Sequence, residues 1–173
     1  MGVIFIGGIY GVGKSTLCSI ISKKLEIPFF NSSDLISGKI NENYGANKYV
    51  SNLKNNQLVL LNEVAELLKQ HSRFILAGHF CILKENGYDV IDYEDISKLQ
   101  IERIIVFVRE PKYISETLKK RDAKEYDDDM ICSFQKKEIE ISSQYAKKMN
   151  VEFDIVKINF DDNDITTVLN LFA

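Results

Sequence analysis

The stretch that decides the fold of this chain is Gly8-Ile9-Tyr10-Gly11-Val12-Gly13-Lys14-Ser15, near the start of the 173-residue sequence. It matches the pattern G-x-x-x-x-G-K-[ST] at every fixed position. Its glycines would let the backbone curl so that successive N–H groups point at one anion. An apolar run, Val3 to Gly7, precedes the loop, and apolar residues at helical spacing follow it from Lys14 to Leu25. Because a strand, a glycine loop and a helix in this order are the context that the motif requires, we predict a phosphate-binding loop here.

The side chains of this loop predict its ligand. The Lys14 ammonium can reach the β- and γ-phosphates of ATP, and the Ser15 hydroxyl can bind the Mg²⁺ that bridges them. The helix that begins near Lys14 adds its positive end at the same place. A side chain at position 13 would crowd the anion. We therefore predict ATP and Mg²⁺ as ligands, held by Gly8, Gly11, Val12, Gly13, Lys14, Ser15 and Thr16.

Composition limits the classes to which the chain can belong. Its 173 residues suffice for one well-buried core, and 45% hydrophobic with 27% charged residues is the balance of a soluble globular protein. The formal net charge of −3 gives no electrostatic signature of nucleic-acid binding. No apolar stretch reaches membrane-spanning length and no targeting segment is visible, so we expect a cytosolic protein. The expected partners are a nucleotide and a small molecule, and the sequence assigns no protein partner.

The three cysteines, Cys18, Cys81 and Cys132, lie far apart, each in an apolar run. Their spacing suits neither a metal site nor an evident disulfide. We therefore interpret them as reduced thiols in the core.

Strands and helices alternate along the chain. Continuous apolar runs predict five strands, and apolar residues at helical spacing predict helices between them. The strands are expected at Val3–Gly7, Pro28–Phe30, Arg73–Gly78, Arg103–Val108 and Phe153–Ile158, and the helices at 14–25, about 49–70, from Pro111 onwards, up to about 149, and at 161–173. This alternation predicts a three-layer α/β sandwich, with a parallel five-stranded sheet covered by helices on both faces.

Three further segments have signals of their own. Asn86-Gly87 separates two short apolar runs, 81–83 and 88–91, and predicts a β-hairpin. Ser37 to Gly45 is polar and interrupted by glycine, so we expect a loop or a broken helix there. Arg121 to Asp129 is charged and interrupts the helical pattern that precedes the last long helix.

Additional motifs distinguish three classes of phosphate-loop protein. A GTPase would carry N-K-x-D to read guanine, but Asn47-Lys48 is followed by Tyr49 and Val50. An oligomeric AAA+ motor needs a longer chain and an apolar strand that ends in two acids, and the sequence has no such strand. A small kinase needs the loop, an acceptor site after the second strand and a cationic lid. Candidates for all three parts are present.

The order of these parts resembles that of the small nucleoside monophosphate kinases, in particular the archaeal-type and nuclear adenylate kinases. Residues 30–35, Phe-Asn-Ser-Ser-Asp-Leu, are similar to the segment that opens the acceptor domain of that family. Gly78-His79 and residues 82–88 are similar to its Asp-x-His strand end and the following Lys-x-x-x-Gly-Tyr loop. Residues 121–129 resemble its lid, and the next helix resembles the one that returns from it.

The resemblance implies one P-loop kinase domain over residues 1–173, with an acceptor-binding insertion at about 34–70 and a lid at about 121–130. It implies transfer of the γ-phosphoryl group of ATP to a small acceptor, which in that family is a nucleoside monophosphate. Lys14 and Arg121 would be the catalytic residues. The arginine would neutralise the transferring group, and a solvated helix end is the alternative for it.

Asp34 and His79 are the candidates for acceptor binding. Asp34 could also join Ser15 in binding Mg²⁺ or one of its waters, and the alternative is an N-cap for the next helix. His79 follows a predicted central strand at the edge where α/β sheets place ligands, and its alternative is a satisfied structural histidine. Arg109, which ends another strand, would either act on phosphate or form a salt bridge with the glutamate that follows it or another neighbour.

Two features depart from the family pattern. The related kinases end their third strand in an aspartate that holds the Mg²⁺ shell, and this chain has Ala77 there. A second lid arginine is not evident. These departures leave open a regulatory ATP-binding module, or a weak ATPase with little kinase activity. A kinase of nucleic-acid ends is a further alternative, which the net charge disfavours.

Overall fold

The structure, a computed structural model, describes residues 2–39, 53–84 and 87–173. The strands are β1 (Gly2–Gly7), β2 (Phe29–Asn31), β3 (Arg73–Ala77), β4 (Cys81–Lys84), β5 (Gly87–Val90), β6 (Ile101–Val108) and β7 (Glu152–Lys157). The helices are α1 (Lys14–Leu25), α2 (Ser32–Lys39), α3 (Leu53–Gln70), α4 (Tyr93–Ser97), α5 (Pro111–Asp122), α6 (Asp128–Met149) and α7 (Asp162–Asn170). Five strands form a parallel sheet in the order β2-β3-β1-β6-β7, and β4 pairs with β5 in an antiparallel hairpin.

The central strands are buried on both faces, which explains their continuous apolar sequence. Every residue of β1 is buried, and so are residues 104–107 of β6. Helix α1 packs with α7, whereas α6 packs with α4 and α5. A parallel sheet needs such cover on both sides, because crossover helices lie on its faces. The predicted parallel five-stranded α/β sandwich is confirmed.

The register of the sheet brings the carboxyl ends of four strands together. Asn31 at the end of β2 lies beside Ala77 of β3, and Ala77 lies beside Ile6 of β1. On the other side of β1, Gly7 pairs with Val106 of β6. The segments that leave these strands therefore emerge as neighbours at one edge, which is where open α/β sheets bind ligands.

The expected loop or broken helix at Ser37 to Gly45 is described only at its beginning. Residues 37–39 belong to α2, and residues 40–45 lie outside the described ranges. Leu35 and Ile36 pack against the core, and Asp34 and Lys39 lie at the ends of the helix that suit their charges. The serines and the glycine of this segment have weak helix propensity, but packing on the core and favourable charges at both ends stabilise α2.

The other element predictions that the described residues test hold within one or two residues, except that α7 ends three residues before the predicted 173 and that the short helix α4 was not expected. The predicted beginning of α3 near Tyr49 and the Asn86 half of the hairpin turn lie outside the described residues. The three cysteines are free; Cys18 and Cys81 are buried as expected, and Cys132 is half-buried. Within the described ranges, none of the helices combines the length and the apolar character needed to cross a membrane.

Candidate functional site

The loop between β1 and α1 curls through backbone angles that favour glycine. Gly8, Gly11 and Gly13 have φ values of 141°, 80° and 104°. A Cβ at Gly8 would lie 2.7 Å from the Phe107 carbonyl oxygen, and a Cβ at Gly13 would lie 2.1 Å from Cζ of Phe160. A side chain at position 13 therefore meets the protein itself, in addition to the anion that we expected it to crowd.

Lys14 lies inside the curl of the loop. Its ammonium donates to the carbonyl oxygen of Gly8 and, at 3.2 Å, to that of Ile9. Burial lowers the pKa of Lys14 to about 8, against the field of the Glu138 carboxylate, which favours the charged form. The side chain is therefore mainly an ammonium at neutral pH. Ser15 and Thr16 follow it and are exposed at the beginning of α1.

A chain of hydrogen bonds connects the loop to the segment after β2. The Ser15 hydroxyl donates to Oδ1 of Asn31 at 3.0 Å, and Nδ2 of Asn31 donates to Oδ2 of Asp34 at 3.0 Å. Asp34 lies in the first turn of α2, which begins at Ser32, so the N-cap alternative for Asp34 is wrong. Hydroxyl, amide and carboxylate oxygens are the hard donors that Mg²⁺ takes when it is also bound to phosphates. The residues present thus fit Mg²⁺, and Ser15 and Asp34 would be its protein partners.

Ala77 ends β3 at the position where the resemblance to adenylate kinases led us to expect an aspartate. It is 3% exposed and lies beside Asn31 of the neighbouring strand β2. Asn31 carries an amide next to this position. The hydrogen-bonded pair of Asn31 and Asp34 is therefore the structural candidate for compensation of Ala77.

His79 follows β3 and lies against the phosphate loop. Its ring centroid is 4.3 Å from that of Tyr10, with an interplanar angle of 43°. Its Nδ1 atom is buried and has no hydrogen-bond partner among the residues that the structure describes. Burial lowers the pKa of His79 well below its ordinary value, and the positive charges of Lys14 and Arg121 act in the same direction, whereas a hydrogen bond with the backbone of Gly8 acts in the opposite one. His79 is thus neutral, and both acceptor binding and the alternative of a structural histidine stay predictions.

Arg121 lies in the last turn of α5, at the rim of the same loop. Its guanidinium donates to both carboxylate oxygens of Asp122, at 2.5 and 2.7 Å, and lies 5.9 Å from the ring centroid of Tyr10. These hydrogen bonds are the main reason why the pKa of Asp122 falls to about 2. The Tyr126 hydroxyl also donates to Asp122, at 2.7 Å. The predicted lid is thus the connection between α5 and α6, with Arg121 directed towards the loop.

Arg109, at the end of β6, lies over aromatic rings instead of pairing with the next residue. Its guanidinium carbon is 4.5 Å from the ring centroid of Phe160 and 5.3 Å from that of Tyr113. Glu110 forms its ion pair with Lys157, at 2.6 Å. The expected salt bridge between Arg109 and Glu110 is therefore wrong. A guanidinium stacked on a half-exposed ring resembles a platform for a flat ligand.

Glu138 on α6 is the largest omission of the sequence analysis. It is 1% exposed and accepts hydrogen bonds from the backbone of Gly8, Phe80 and Cys81. A signal was present, because Glu138 interrupts an otherwise apolar stripe at helical spacing, formed by Ile131, Phe134, Ile141 and Tyr145. An acid in the buried stripe of a helix needs partners, and the partners here are the loop and the end of β3.

One cleft joins these features. It has a volume of about 1550 Å³ and is lined by the phosphate loop, the residues after β2 and β3, and the lid connection. The cleft brings together the predicted site residues Lys14, Ser15, Thr16, Asp34, His79 and Arg121. Arg109 and Phe160 line the same cleft. Phe160 carried no sequence signal, because its place depends on the turn after β7.

Comparisons with known proteins agree with this geometry. A family model described as an AAA domain matches residues 7–135. No curated protein matches the sequence. Shikimate kinase from Bacteroides thetaiotaomicron superposes with a TM-score of 0.60 at 18% identity, over 99% of this chain and 95% of that one. Shikimate kinase from Acinetobacter baumannii in complex with shikimate gives 0.59 at 13% identity, over 99% and 93%. A gluconokinase from Sinorhizobium meliloti 1021 gives 0.52 at 12% identity, over 99% and 95%.

The matched residues extend from the last residue of β1 into α6, and so include the loop, Asp34, His79 and Arg121. The solved structures share the fold at low identity, and their names are those of kinases of small molecules. At this identity the solved structures show the fold alone, and the adenylate kinase type stays a prediction. The chain belongs to the AAA domain family, and its fold is that of the small P-loop kinases.

Proposed function

We propose that this protein transfers the γ-phosphoryl group of ATP to a small acceptor. The observation that carries the proposal is the convergence of Lys14, Asp34, His79 and Arg121 on one cleft, around a loop with the geometry of a phosphate cradle. The kinase names of the structural neighbours support the same reaction class.

The chain would act by positioning and by neutralising charge. The loop amides and the Lys14 ammonium bind the phosphates, and for this Lys14 leaves the carbonyls of Gly8 and Ile9. Ser15 and Asp34 would hold Mg²⁺, which would supply positive charge to the bound phosphates. Arg121 faces the transferring group from the lid side. These contacts stabilise a transition state whose charge is spread over the equatorial oxygens, without covalent chemistry by the protein.

The base of ATP has a candidate platform beyond the loop. Phe160 is 43% exposed, and its ring lies beside Gly13 and under the Arg109 guanidinium. Stacking on the exposed part of this pair does not select among bases, since every base has a π-face. The platform therefore fits the base of a nucleoside triphosphate donor such as ATP.

We propose a nucleoside monophosphate as the acceptor. The carboxamides of Asn56 and Gln57 line the same cleft as Asp34 and His79. Oδ1 of Asn56 is buried and has no hydrogen-bond partner within the described ranges. A carboxamide has both a donor and an acceptor, so it can form hydrogen bonds with the edge of a base. The structural neighbours are named for other acceptors, shikimate and gluconate, and the assay below therefore includes both.

A coupled assay of ADP release across nucleoside monophosphates, shikimate and gluconate tests the proposal. We expect acceptor-dependent ADP release from MgATP, with the largest rates for a monophosphate. Lys14→Met should weaken MgATP binding about 10- to 100-fold, the equivalent of one charge-assisted hydrogen bond. Lys23→Met is the matched control, because Lys23 is exposed on the same helix.

Two results would separate this proposal from its alternatives. Tight ATP binding without transfer to any acceptor would favour a regulatory ATP-binding module. Ala77 supports this alternative, because it stands at the end of β3, where an aspartate was expected to help bind Mg²⁺. Unchanged MgATP binding in Lys14→Met would contradict the proposal that this loop binds the phosphates of ATP. A structure with a two-headed adenosine polyphosphate would show whether a second base enters the cleft.

A further inference from the structure

The carboxamide of Gln135 on α6 forms two hydrogen bonds with the backbone of one residue, Arg109. The N–H of Arg109 donates to Oε1 of Gln135 at 3.0 Å, and Nε2 of Gln135 donates to the Arg109 carbonyl oxygen at 2.7 Å. Arg109 directly follows β6, whose pairing with β7 ends at Val108. Gln135 therefore fixes the main chain of Arg109 at the point where the chain leaves the sheet.

Gln135 lies on the buried face of α6, where apolar side chains are the rule. It is 8% exposed and shares this face with Ile131 and Phe134. A buried carboxamide without partners would cost stability, but here both its oxygen and its nitrogen have one. Because its donor and its acceptor are held in one plane, a carboxamide that pairs with both groups of a residue restricts the orientation of that residue.

The side chain of Arg109 has few polar contacts of its own. Its Nε atom is buried and has no hydrogen-bond partner in the part of the chain that the structure describes, and its Nη1 donates to the Thr117 hydroxyl at a long 3.4 Å. The guanidinium carbon lies 4.5 Å from the ring centroid of Phe160 and 5.3 Å from that of Tyr113. Stacking of this kind depends on where the backbone places the side chain, so the backbone of Arg109 decides whether its guanidinium reaches the Phe160 ring.

The Phe160 ring is held in place by a different residue. The N–H of Phe160 donates to the carboxylate of Asp164 at 2.6 Å, and the N–H of Asn159 donates to both oxygens of that carboxylate at 3.1 Å. Asp164 is 3% exposed and lies on α7, away from Gln135 in the chain. A substitution at Gln135 should therefore move the Arg109 guanidinium and leave the ring in position.

We propose that Gln135 is a positioning residue for the base of the bound nucleotide: by holding the backbone of Arg109 it keeps the guanidinium over the Phe160 ring, where the pair offers a surface for stacking. This inference rests on the nucleotide site of the proposed function. Arg109 and Phe160 line the cleft, whereas Gln135 is not among its described lining residues, so Gln135 acts through Arg109.

The test compares two ligands by calorimetry, each with Mg²⁺ at the same pH: a non-hydrolysable ATP analogue and inorganic tripolyphosphate. Both have three linked phosphates, but only the analogue has a nucleoside. The wild type should bind the analogue about tenfold more tightly than tripolyphosphate, as one stacked base allows. Gln135→Met keeps the length of the side chain and removes both hydrogen bonds. It should lose most of this tenfold preference, while its affinity for tripolyphosphate stays that of the wild type.

Three further variants make the result specific. Gln144→Met is the matched control, because Gln144 is exposed on the same helix, and it should bind both ligands as the wild type does. Arg109→Met should lose the same preference for the analogue. Adding Gln135→Met to Arg109→Met should then change the ratio of the two dissociation constants little, because a residue that acts through Arg109 has no further effect once that side chain is gone.

Three results would overturn the proposal. An equal loss of affinity for both ligands in Gln135→Met would show that Gln135 supports the fold and not the base. Additive losses in the double variant would show that it does not act through Arg109. A loss for tripolyphosphate as large as that for the analogue in Arg109→Met would assign the guanidinium to the phosphates.

If Gln135→Met does not fold, as judged by circular dichroism, Gln135→Asn decides. Its carboxamide is one methylene shorter and cannot reach both backbone groups of Arg109, so an unchanged preference for the analogue in that variant would overturn the positioning role. Failure of the proposed function looks different, because it is wild-type protein that prefers the analogue to tripolyphosphate but transfers no phosphoryl group from ATP.

Discussion

Gly13 is constrained by its own backbone and by a ring from the far end of the chain. Its φ of 104° lies where side chains are strained, and a Cβ would lie 2.1 Å from Cζ of Phe160. Phe160 has a φ of 59°, and its N–H donates to the buried Asp164 carboxylate at 2.6 Å. The turn after β7 is thus held in place against the phosphate loop. The geometry of the loop depends on this distant turn as well as on its own glycines.

Gly13→Ala should therefore disturb both stability and binding. The backbone strain costs about 1–3 kcal/mol of unfolding free energy, and displacement of the Phe160 ring adds to it. Binding of MgATP should weaken about tenfold or more. Chemical denaturation and equilibrium binding measure the two effects.

Gly38→Ala is the matched control for this substitution. Gly38 lies inside α2 with no atom within 4 Å of an added Cβ, so alanine should raise stability by about 0.5–1 kcal/mol. Adding Phe160→Ala to Gly13→Ala removes the contact but leaves the φ strain, so stability should recover only in part. Full recovery would show that the ring contact alone explains the glycine.

The sequence predicts the site residues that act through a local motif and misses those that act through distant contacts. Lys14 and Ser15 follow from the loop pattern, because eight adjacent residues specify it. Asn31 was expected only as part of the segment that resembles the opening of the acceptor domain, yet it connects Ser15 to Asp34. Glu138 lies 130 positions from its hydrogen-bond partner Gly8, and no local pattern encodes such a pair.

At the scale of elements, the position of Arg121 depends on how α5 ends and how α6 begins. Helix α5 ends at Asp122, with Ala123 in the left-handed conformation, and α6 begins at Asp128 after Asp127 caps it. The connection between them holds Arg121 against Asp122 while its guanidinium stays near Tyr10. In the proposed reaction this guanidinium would turn from the Asp122 carboxylate to the phosphates.

Arg121→Met should lower kcat about 10²- to 10³-fold, as the loss of one preorganised donor to the transition state does, while KM for ATP changes little. Steady-state kinetics with the best acceptor measure the split. Lys120→Met is the control, because Lys120 is the preceding exposed cation of the same turn. Equal loss of kcat in both variants would mean that only the net charge of the turn matters.

The helices and strands that could be predicted from the sequence are those whose apolar pattern extends over the whole element. Helix α1 begins at Lys14 and ends at Leu25, as predicted, because a glycine with positive φ precedes it and its apolar face is periodic. Helix α4 was missed because a helix of five residues is too short to show a period. Helix α2 was partly missed because its stability comes from packing on the core and not from propensity.

At the scale of the whole molecule, the site exists only when distant segments are folded together. The phosphate loop lies between β1 and α1, and Arg121 lies at the end of α5. Glu138 lies on α6, and Phe160 lies in the turn before α7. The unfolded chain does not bring these residues together. A ligand that bridges them therefore binds the native state alone, and its binding energy adds to the free energy of unfolding.

This linkage makes thermal unfolding a test of the whole arrangement. At a concentration of 100 times its Kd, a non-hydrolysable ATP analogue with Mg²⁺ should stabilise the native state by about 2.7 kcal/mol. For a chain of this length that corresponds to a rise in Tm of about 5–10 °C. Lys14→Met at the same ligand concentration should show a smaller rise, because an affinity that is 10- to 100-fold weaker leaves the analogue at only about 1 to 10 times its Kd, which stabilises the native state by about 0.4–1.4 kcal/mol. If the wild type and Lys14→Met rose equally, the stabilisation would come from a site other than the phosphate loop, and the assembly of the cleft around a triphosphate would be contradicted.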